Sequence, residues 1–533
     1  MNRKTLVLPA VVGLLAPLLA ACGTQQGGAA GGNAIVVGTT DQFTATEDAP
    51  APFDPAYAYD TGIWNVLRQT VQTLVRVPRG GGRPVPDAAS ECQFTDRVSE
   101  SYRCTLRDGL TFSDGTPVTA QDVKFSIERV LAIKSDNGAA GLLSNIDTIE
   151  VKGYREIVFH LKTPDATFPY KLATPVAGIV SSDKYEADKL REGFQVDGSG
   201  PYTMKANVSD GHVTSVVFTK NGRYKGGVKL RNDQVELRSF ADAGAMAGAL
   251  DAGDIDLMTR TMEPEQIREL HARPKEGIKL TEMPGLEIRY LAFNTRHPSV
   301  KDKAVRQAMA SVIDRSKIAG DVYGSTATPL YSLIPSSIAT HTNSFFDKYG
   351  EPSRKKAAAI LDDAGIDTPV KLTLHYTTDH YGSATAKEFA ALRDQLNASG
   401  LFDVTVKGSE WSTFRPAQKR GEYAVYGLGW FPDFPDPDNF TAPFLDADNF
   451  LNTPYVSEEA RTRLIPASRR EADRTSAAPA FEKLQRIVAE DVPVLPLWQG
   501  KQYVASRDTL TGVEWALNTS SDLQLWELGR GTA

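Results

Sequence analysis

Two cysteines, Cys92 and Cys104, have a spacing that would let their thiols react with each other. They lie in the segment ECQFTDRVSESYRC, where apolar and polar residues alternate on both sides of a polar centre, as in a β-hairpin that turns near Val98. Each cysteine is six residues from Val98, so the two are expected to face each other across the strands. In an oxidising compartment such a pair closes a disulfide. Two reduced thiols, or half of a metal site, are the alternatives, although no further ligands stand nearby.

The third cysteine, Cys22, follows a segment with the layout of a secretory leader. Arg3 and Lys4 precede an uncharged stretch over residues 6–19, which is too short to span a bilayer of about 30 Å. The sequence LAAC at 19–22 looks like a bacterial lipobox, in which the cysteine is lipidated and becomes the new amino terminus. We therefore expect residues 1–21 to be a lipoprotein signal peptide and Cys22 to be the lipidation site. An ordinary signal peptide with an incidental cysteine is the alternative.

Residues 22–33 are expected to form a flexible tether, because GTQQGGAAGGN after Cys22 has no charge and no large apolar side chain. The formal charge of the chain is −7, and it becomes −9 when the two cations of the leader are removed. At 41% hydrophobic and 23% charged residues the composition is that of a globular protein. The mild acidity and the lack of basic clusters argue against nucleic acid as a partner.

Periodicity indicates strands and helices that alternate without a fixed repeat, which is typical of a mixed α/β protein with more than one lobe. Helical spacing covers residues 63–75 and 300–313, and a strand–helix unit covers 370–399. Thr119 stands three residues before Asp122, which predicts a capping box at the start of a helix. The apolar run 492–497 contains two prolines and is expected to be an extended or edge segment.

Five blocks, in the same order along the chain, resemble the family 5 extracellular solute-binding proteins, which are peptide- and nickel-type receptors of ABC importers. The blocks are YRCTLRDGLTFSDGTPVTAQDVKFS at 102–126, GSGPY at 198–202, YLAFNT at 290–295, KAVRQAMASVIDR at 303–315 and GLGWFPDFPDPDNF at 427–440. The resemblance spans nearly all of the chain that follows the leader.

The resemblance implies an α/β fold with two lobes, of the periplasmic-binding-protein type II in its large peptide-receptor variant, with mixed sheets and a hinge. It implies that lobe I covers residues 34–293, with an inserted subdomain at about 61–190, and that lobe II covers 294–491. Residues 492–533 return to lobe I. The two crossings are expected near 293–295 and 491–494, where a few residues absorb the rotation.

Peptide receptors of this family hold the α-ammonium of the ligand with an aspartate after the Gly-Trp pair, and that position is Asp433 here. The resemblance also places Gly429 and Trp430 at the ligand, as strand backbone and flat apolar wall. A turn residue is the alternative for Asp433, since Asp is common in turns. Asp436 and Asp438 are expected to be turn or helix-cap residues.

For a ligand carboxylate we consider the cations Arg415, Lys419 and Arg420, with solvated surface charge as the alternative. Tyr57 and Tyr59 follow the first expected strand and are candidates to line the cleft or to pack elsewhere. The seven histidines are scattered, and no recognisable metal set appears, so no cofactor or metal is expected and a nickel receptor has no support.

The expected function is that of a substrate-binding lipoprotein of an ABC importer, which captures a short peptide and delivers it to permease subunits and their ATPases. The protein is expected to be a monomer on the outer face of the cell membrane. A receptor for another solute, such as a sugar or metal chelate, and a peptide-sensing lipoprotein are alternatives. A secreted hydrolase is disfavoured, because the serine-elbow, zinc-helix and phosphate-loop motifs are missing from the sequence.

Overall fold

The computed structural model describes residues 34–47, 49–259, 262–447 and 453–531. The expected signal peptide, the tether and Cys22 lie outside the described residues. None of the helices in the described part of the chain has the length and apolar character needed to cross a membrane.

The strands, in chain order, are β1 Ile35–Thr39, β2 Val75–Arg76, β3 Val85–Pro86, β4 Ala89–Phe94, β5 Ser101–Leu106, β6 Ile146–Lys152, β7 Glu156–Leu161, β8 Tyr202–Ser209, β9 His212–Lys220, β10 Gln234–Ser239, β11 Leu257–Met258 and β12 Ile278–Met283. They continue as β13 Ile288–Phe293, β14 Ala327–Pro329, β15 Val370–Thr377, β16 Phe402–Ser409, β17 Val425–Trp430, β18 Val494–Gly500, β19 Gln502–Arg507, β20 Leu510–Thr511 and β21 Gly529–Arg530.

The α-helices are α1 Thr61–Thr70, α2 Ala120–Ile133, α3 Phe168–Lys171, α4 Ala243–Ala252, α5 Pro264–Ala272, α6 Lys303–Val312, α7 Arg315–Ile318, α8 Ser344–Tyr349, α9 Arg354–Asp363, α10 Ala384–Ala398, α11 Trp411–Lys419, α12 Ala442–Leu445, α13 Ile465–Arg470 and α14 Ala478–Asp491. Short 3-10 turns join several of them.

Two large mixed sheets organise the chain. The first has seven strands in the order β12-β19-β11-β1-β10-β9-β8, with parallel pairing of β1 to β10 and to β11. The second has six strands in the order β14-β18-β13-β17-β15-β16, with parallel pairing of β15 to β16 and to β17. The α/β fold with mixed sheets that the sequence predicts is therefore present.

A separate antiparallel sheet, β4-β5-β7-β6, contains the predicted hairpin. Cys92 lies directly opposite Cys104 in the β4–β5 register, and the two are joined by a disulfide. Val98 lies in the turn between the strands and is exposed. The predicted pairing of Cys92 with Cys104 is confirmed. The prediction succeeded because the alternation of residue types places the centre of the hairpin at Val98.

The buried apolar residues form separate cores for the two sheets. One core is drawn from residues between Leu286 and Trp498. The others are drawn from residues between Ile35 and Met283 together with residues after 503. We therefore use "lobe I" for the part built on the seven-stranded sheet and "lobe II" for the part built on the six-stranded sheet.

The chain crosses between the lobes at 284–287 and at 500–502, since both β13 and β18 belong to the six-stranded sheet. These positions differ from the crossings expected near 293–295 and 491–494. The reason is that β13 pairs with β17 on one side and with β18 on the other, so both flanking strands stay in lobe II. We propose lobe boundaries at these crossings in place of the expected ones.

Predictions from local sequence patterns were correct at the start of a helix, and less accurate where pairing with distant strands determines the structure. The Thr119–Asp122 capping box is present at the start of α2. The helix expected over 63–75 ends at Thr70, because the residues after it are extended and lead into β2. The proline-containing run after 492 is extended as expected, but β18 lies inside the sheet. Its partner β14 pairs only with residues 498–500, so the prolines meet a single neighbouring strand.

Candidate ligand-binding site

The loop that follows β17 is held in shape by Asn439. The indole N–H of Trp430 donates to the backbone carbonyl of Asn439 at 2.8 Å, and the backbone N–H of Asp433 donates to Oδ1 of Asn439 at 2.9 Å. Asn439 is buried, as is Trp430, which is 6% exposed. The carboxyl group of Asp433 is therefore presented by a fixed loop.

Two further aspartates of this loop have structural roles. Asp436 is 1% exposed, caps the 3-10 turn Pro437–Phe440, and accepts two hydrogen bonds of 2.8 Å from the guanidinium of Arg474. Asp438 pairs with Arg469 at 3.1 Å. For Asp436 the expectation of a turn or cap residue is confirmed, while Asp438 is a buried ion-pair partner within the same turn.

Asp433 differs from its neighbours in lacking a cationic partner. Its Oδ2 accepts hydrogen bonds from Nδ2 of Asn439 and from the hydroxyl of Tyr59, each at 3.2 Å. Within the described part of the chain it makes no ion pair. Burial raises the pKa of Asp433 to about 6, although the hydrogen bonds from Asn439 and Tyr59 act in the opposite direction.

Contacts between the lobes surround Asp433. The ring of Tyr170 in lobe I stacks on Phe434 in lobe II, with centroids 5.7 Å apart. The backbone N–H of Ala166 donates across the same boundary to the carbonyl of Arg469 at 2.7 Å. Tyr59 itself belongs to lobe I, so its bond to Asp433 also joins the lobes. Asp433 therefore lies in the cleft, with the two lobes in contact beside it.

The two crossing segments touch each other at Gly285 and Gly500. A Cβ atom added at Gly285 would lie 2.5 Å from the carbonyl oxygen of Gly500, so a larger side chain does not fit there. The backbone N–H of Gly500 donates to the carbonyl of Glu287 at 2.9 Å. We propose these two crossing segments as the pivot for a rotation of one lobe against the other.

Gly429 and Trp430 both contribute to the packing within lobe II. The indole of Trp430 is packed in the core of lobe II against Phe444, with centroids 6.0 Å apart, and its expected role as a flat wall at the ligand stays a prediction. Its burial follows from the strand register, which turns it to the core. Gly429 lies opposite Arg289 in the β13–β17 pairing, and an added Cβ would collide with the guanidinium.

Arg289 occupies the space that Gly429 leaves. It is 8% exposed, forms an ion pair with Glu287, and its guanidinium carbon lies 3.8 Å from the ring centroid of Tyr381 and 5.7 Å from that of Phe431. Its Nη1 has no hydrogen-bond partner within the described structure. Burial favours the neutral form, but the negative groups around the guanidinium, with Glu287 the strongest, together outweigh burial and raise the pKa of Arg289.

Arg289 also borders a small cavity of about 10 Å³ in lobe II, together with Tyr381 and Glu388. Glu388 is buried, and it accepts hydrogen bonds from the Tyr323 hydroxyl at 2.6 Å and from the Trp498 indole at 3.1 Å. Burial raises the pKa of Glu388. The cavity is thus bordered by a buried carboxyl group and by an arginine with an unused donor.

The expected cations lie on α11 and at its C-cap, and they differ in burial. Arg415 is partly buried on α11, donates to Oε1 of Gln418, and its pKa is lowered by burial. Lys419 and Arg420 are exposed, and Arg420 pairs with Glu422 at 2.7 Å. Arg415 therefore remains a candidate for the cleft, whereas Lys419 and Arg420 match the alternative of surface charge.

Tyr57 is partly buried, and its hydroxyl accepts a hydrogen bond from Nδ2 of Asn137 at 3.1 Å, which ties it to lobe I. His375 and His380 stack on Tyr423 and Trp411 at centroid distances of 4.0 and 3.9 Å. Among residues 34–47, 49–259, 262–447 and 453–531, no group of three or more His, Cys, Asp or Glu side chains is placed to hold a metal ion.

Sequence reasoning missed Arg289 and Asn439. The signal for Arg289 was available, because it is a charge inside the otherwise apolar strand Ile288–Phe293. A buried strand position that carries arginine calls for a partner or a ligand. Asn439 gave no such signal, since an asparagine among prolines and aspartates is typical of any turn.

A family model described as bacterial extracellular solute-binding proteins, family 5 middle, matches residues 83–452. The oligopeptide-binding protein OppA of Bacillus subtilis is 24% identical over 93% of this chain and 94% of its own length. The di/tripeptide-binding protein 3 of Pseudomonas aeruginosa is 26% identical over 86% of this chain and 89% of its own.

Among solved structures, the murein tripeptide binding protein MppA of Escherichia coli superposes with a TM-score of 0.78 at 22% identity, over 94% of this chain and 99% of that one. The superposition covers both lobes. Since the family model matches more than half of the sequence, the chain belongs to the family 5 bacterial extracellular solute-binding proteins, with their two-lobed fold.

Proposed function

We infer that the protein is the substrate-binding lipoprotein of an ABC importer and that it captures a short peptide between its lobes. The observation that supports this most strongly is Asp433, a carboxyl group in the cleft with hydrogen-bond donors around it and no ion pair within the described residues. Peptide-binding relatives of this length are consistent with the assignment.

Asp433 suits an ammonium group for an electrostatic reason. A carboxylate that is desolvated without a counter-charge is unstable, which is why its pKa rises to about 6. A ligand ammonium would supply the missing charge, and each group would compensate the desolvation of the other. Asn439 and Tyr59 would hold the carboxylate in place through Oδ2, which leaves Oδ1 for the ligand.

For the carboxylate end of the peptide we propose Arg289 as the main donor. Its Nη1 is buried and unpartnered, and its guanidinium lies beside Phe431, two residues before Asp433 in the chain. Arg415 adds positive charge nearby, because both arginines act electrostatically on Tyr381. A short peptide with free ends would then lie along the end of β17, with its charges compensated at both termini.

The proposal includes binding without catalysis, and attachment to the outer face of the cell membrane by lipid on Cys22. Import requires permease subunits and ATPases as partners. A peptide-sensing role would use the same site, and a permease gene beside the gene for this chain would favour import. A non-peptide solute is the alternative ligand. A peptide is distinguished from it by the ammonium group that the proposed site at Asp433 requires.

Native mass spectrometry of the purified protein tests the ligand class, since a closed receptor retains its solute. The ligand should have the mass of a short peptide, and calorimetric titration of the ligand-free protein with di- to pentapeptides should give saturable binding without turnover. Retention of a sugar or metal chelate, together with no heat from any peptide, would contradict the proposal. Palmitate labelling in cells, with Cys22→Ala as the control, tests the anchor.

A further inference from the structure

A second cavity lies inside lobe I, with a volume of about 40 Å³, and it is partly open to solvent. This volume holds about three water molecules, which is the size of the end of one side chain. Apolar side chains line much of it, among them Val71, Val77, Pro175, Val228 and Trp526. We call it the lobe I pocket.

The lobe I pocket lies next to the cleft. Arg68, Ala173 and Asp522 line one side of it. Ala173 follows α3, whose Tyr170 stacks on Phe434 of lobe II. Asp522 is close enough to Asp433 for its negative charge to raise the pKa of that group. This side of the pocket therefore faces the region where the peptide would lie.

Two arginine side chains of the pocket have hydrogen-bond donors that are not used. Arg68 pairs with Asp522 at 2.6 Å and donates to the carbonyl of Ala173 at 3.3 Å, and Arg76 donates to the carbonyl of Gly227 at 2.9 Å. The Nε atoms of both arginines are buried and have no partner within the described structure. Two guanidinium groups thus each retain an unused donor.

The acidic side chains of the pocket already have partners. Oδ1 of Asp87 accepts from the Tyr224 hydroxyl at 2.7 Å and from the backbone N–H of Gly227 at 2.8 Å. Asp522 accepts from Nδ2 of Asn518 at 2.7 Å in addition to its pair with Arg68. A group that enters the pocket is therefore favoured if it brings an acceptor for the two unused arginine donors.

We propose that the lobe I pocket receives one side chain of the bound peptide and selects glutamate or glutamine. The methylene groups would pack on the apolar wall, and the carboxylate or carboxamide oxygen would accept from Arg68 and Arg76. This inference rests on the proposed peptide function and adds the side-chain class that the receptor prefers.

Calorimetry with substituted tri-alanine peptides tests the proposal at pH 7.5. Glu, Gln, Leu and Lys are placed in turn at each of the three positions, with tri-alanine itself as the reference. At one position Glu or Gln should bind about tenfold more tightly than Ala, because a hydrogen bond to a charged donor contributes that much. Lys should show no such gain, because an ammonium group offers no acceptor.

Two variants of the pocket complete the test. Val228→Trp fills the pocket and should abolish the preference, while the affinity for tri-alanine stays within about twofold of wild type. Arg76→Met removes one donor and should reduce the preference to about threefold or less. Val208→Trp is the matched control, since Val208 is 48% exposed on β8 and does not line the pocket.

Tri-alanine binding with no preference at any position would overturn the pocket assignment and leave the peptide function intact. A preference that survives Val228→Trp would also overturn it, because the side chain would then bind elsewhere. Failure of every peptide, tri-alanine included, would reject the peptide function and this inference with it.

Discussion

The hydroxyl of Tyr59 donates a hydrogen bond of 3.2 Å to Oδ2 of Asp433, and this bond joins lobe I to lobe II. Tyr59 is 40% exposed, so the contact sits at an accessible part of the cleft. The bond favours the ionised form of Asp433, against the effect of burial. Closure of the lobes and the charge of the proposed ligand site are therefore linked through one contact.

Peptide affinity should fall as the pH is lowered through about 6. Burial raises the pKa of Asp433 to about 6, so the ionised carboxylate that pairs with an ammonium is lost below that value. The association constant should drop by up to about tenfold per pH unit between pH 6 and pH 5. Titration calorimetry of tri-alanine from pH 4.5 to 8 measures it.

The control for this pH profile is Asp433→Asn, whose weak binding should be independent of pH in the same range. If wild type and variant give parallel profiles, a group other than Asp433 controls the titration.

Replacement of Arg289 by Gln should lower the affinity for peptides with a free carboxyl terminus by about tenfold or more. The affinity for peptide amides should stay nearly unchanged. The reason is that the charge-assisted bond from Nη1 disappears, whereas an amide gains little from it. Arg393→Gln is the matched control, since Arg393 is a partly exposed arginine that pairs with Asp394. Equal losses for acids and amides would show that Arg289 acts only on the packing of lobe II.

The double variant Cys92→Ala/Cys104→Ala should lower the free energy of unfolding by about 3 kcal/mol, because the short loop is no longer closed in the unfolded chain. Urea unfolding measures it. Reductant should bring the wild-type protein to the same stability and should not affect the variant. An identical response of both proteins to reductant would mean that the disulfide does not form in solution.

Gly285→Ala should impair closure, because its Cβ would lie 2.5 Å from the carbonyl oxygen of Gly500 in the second crossing segment. We expect peptide binding to weaken by about 1–3 kcal/mol, and small-angle scattering of the peptide-saturated variant to show a larger radius of gyration than wild type. Gly248→Ala in α4 is the control, since nothing lies within 4 Å of its added Cβ. Wild-type affinity of Gly285→Ala would show that the contact is not part of the pivot.

Local patterns were sufficient for the hairpin of Cys92 and Cys104 and for the capping box of Thr119 and Asp122, because each depends on residues close together in sequence. The lobe crossings that we propose differ from those expected from the sequence, because strand pairing over long distances decides which sheet β13 and β18 join. Long-range strand pairing also explains why the sequence did not predict the burial of Trp430, which depends on the register of β17. It likewise explains why the position of Arg289, which depends on the space left by Gly429, was not predicted.

The most direct test of the proposed ligand site combines one change in the protein with one in the ligand. The affinities of tri-alanine and of N-acetyl-tri-alanine are measured by calorimetry for wild type and for Asp433→Asn, with Asp403→Asn, an exposed aspartate on β16, as control. For wild type, acetylation should cost at least about 100-fold, because it removes one partner of a desolvated charge pair. The affinity of Asp433→Asn for tri-alanine should be lower than that of wild type by the same factor. Acetylation of the peptide should lower the affinity of this variant little further. Equal binding of both peptides to wild type, or an undiminished cost of acetylation in Asp433→Asn, would contradict the assignment of Asp433 to the ligand ammonium.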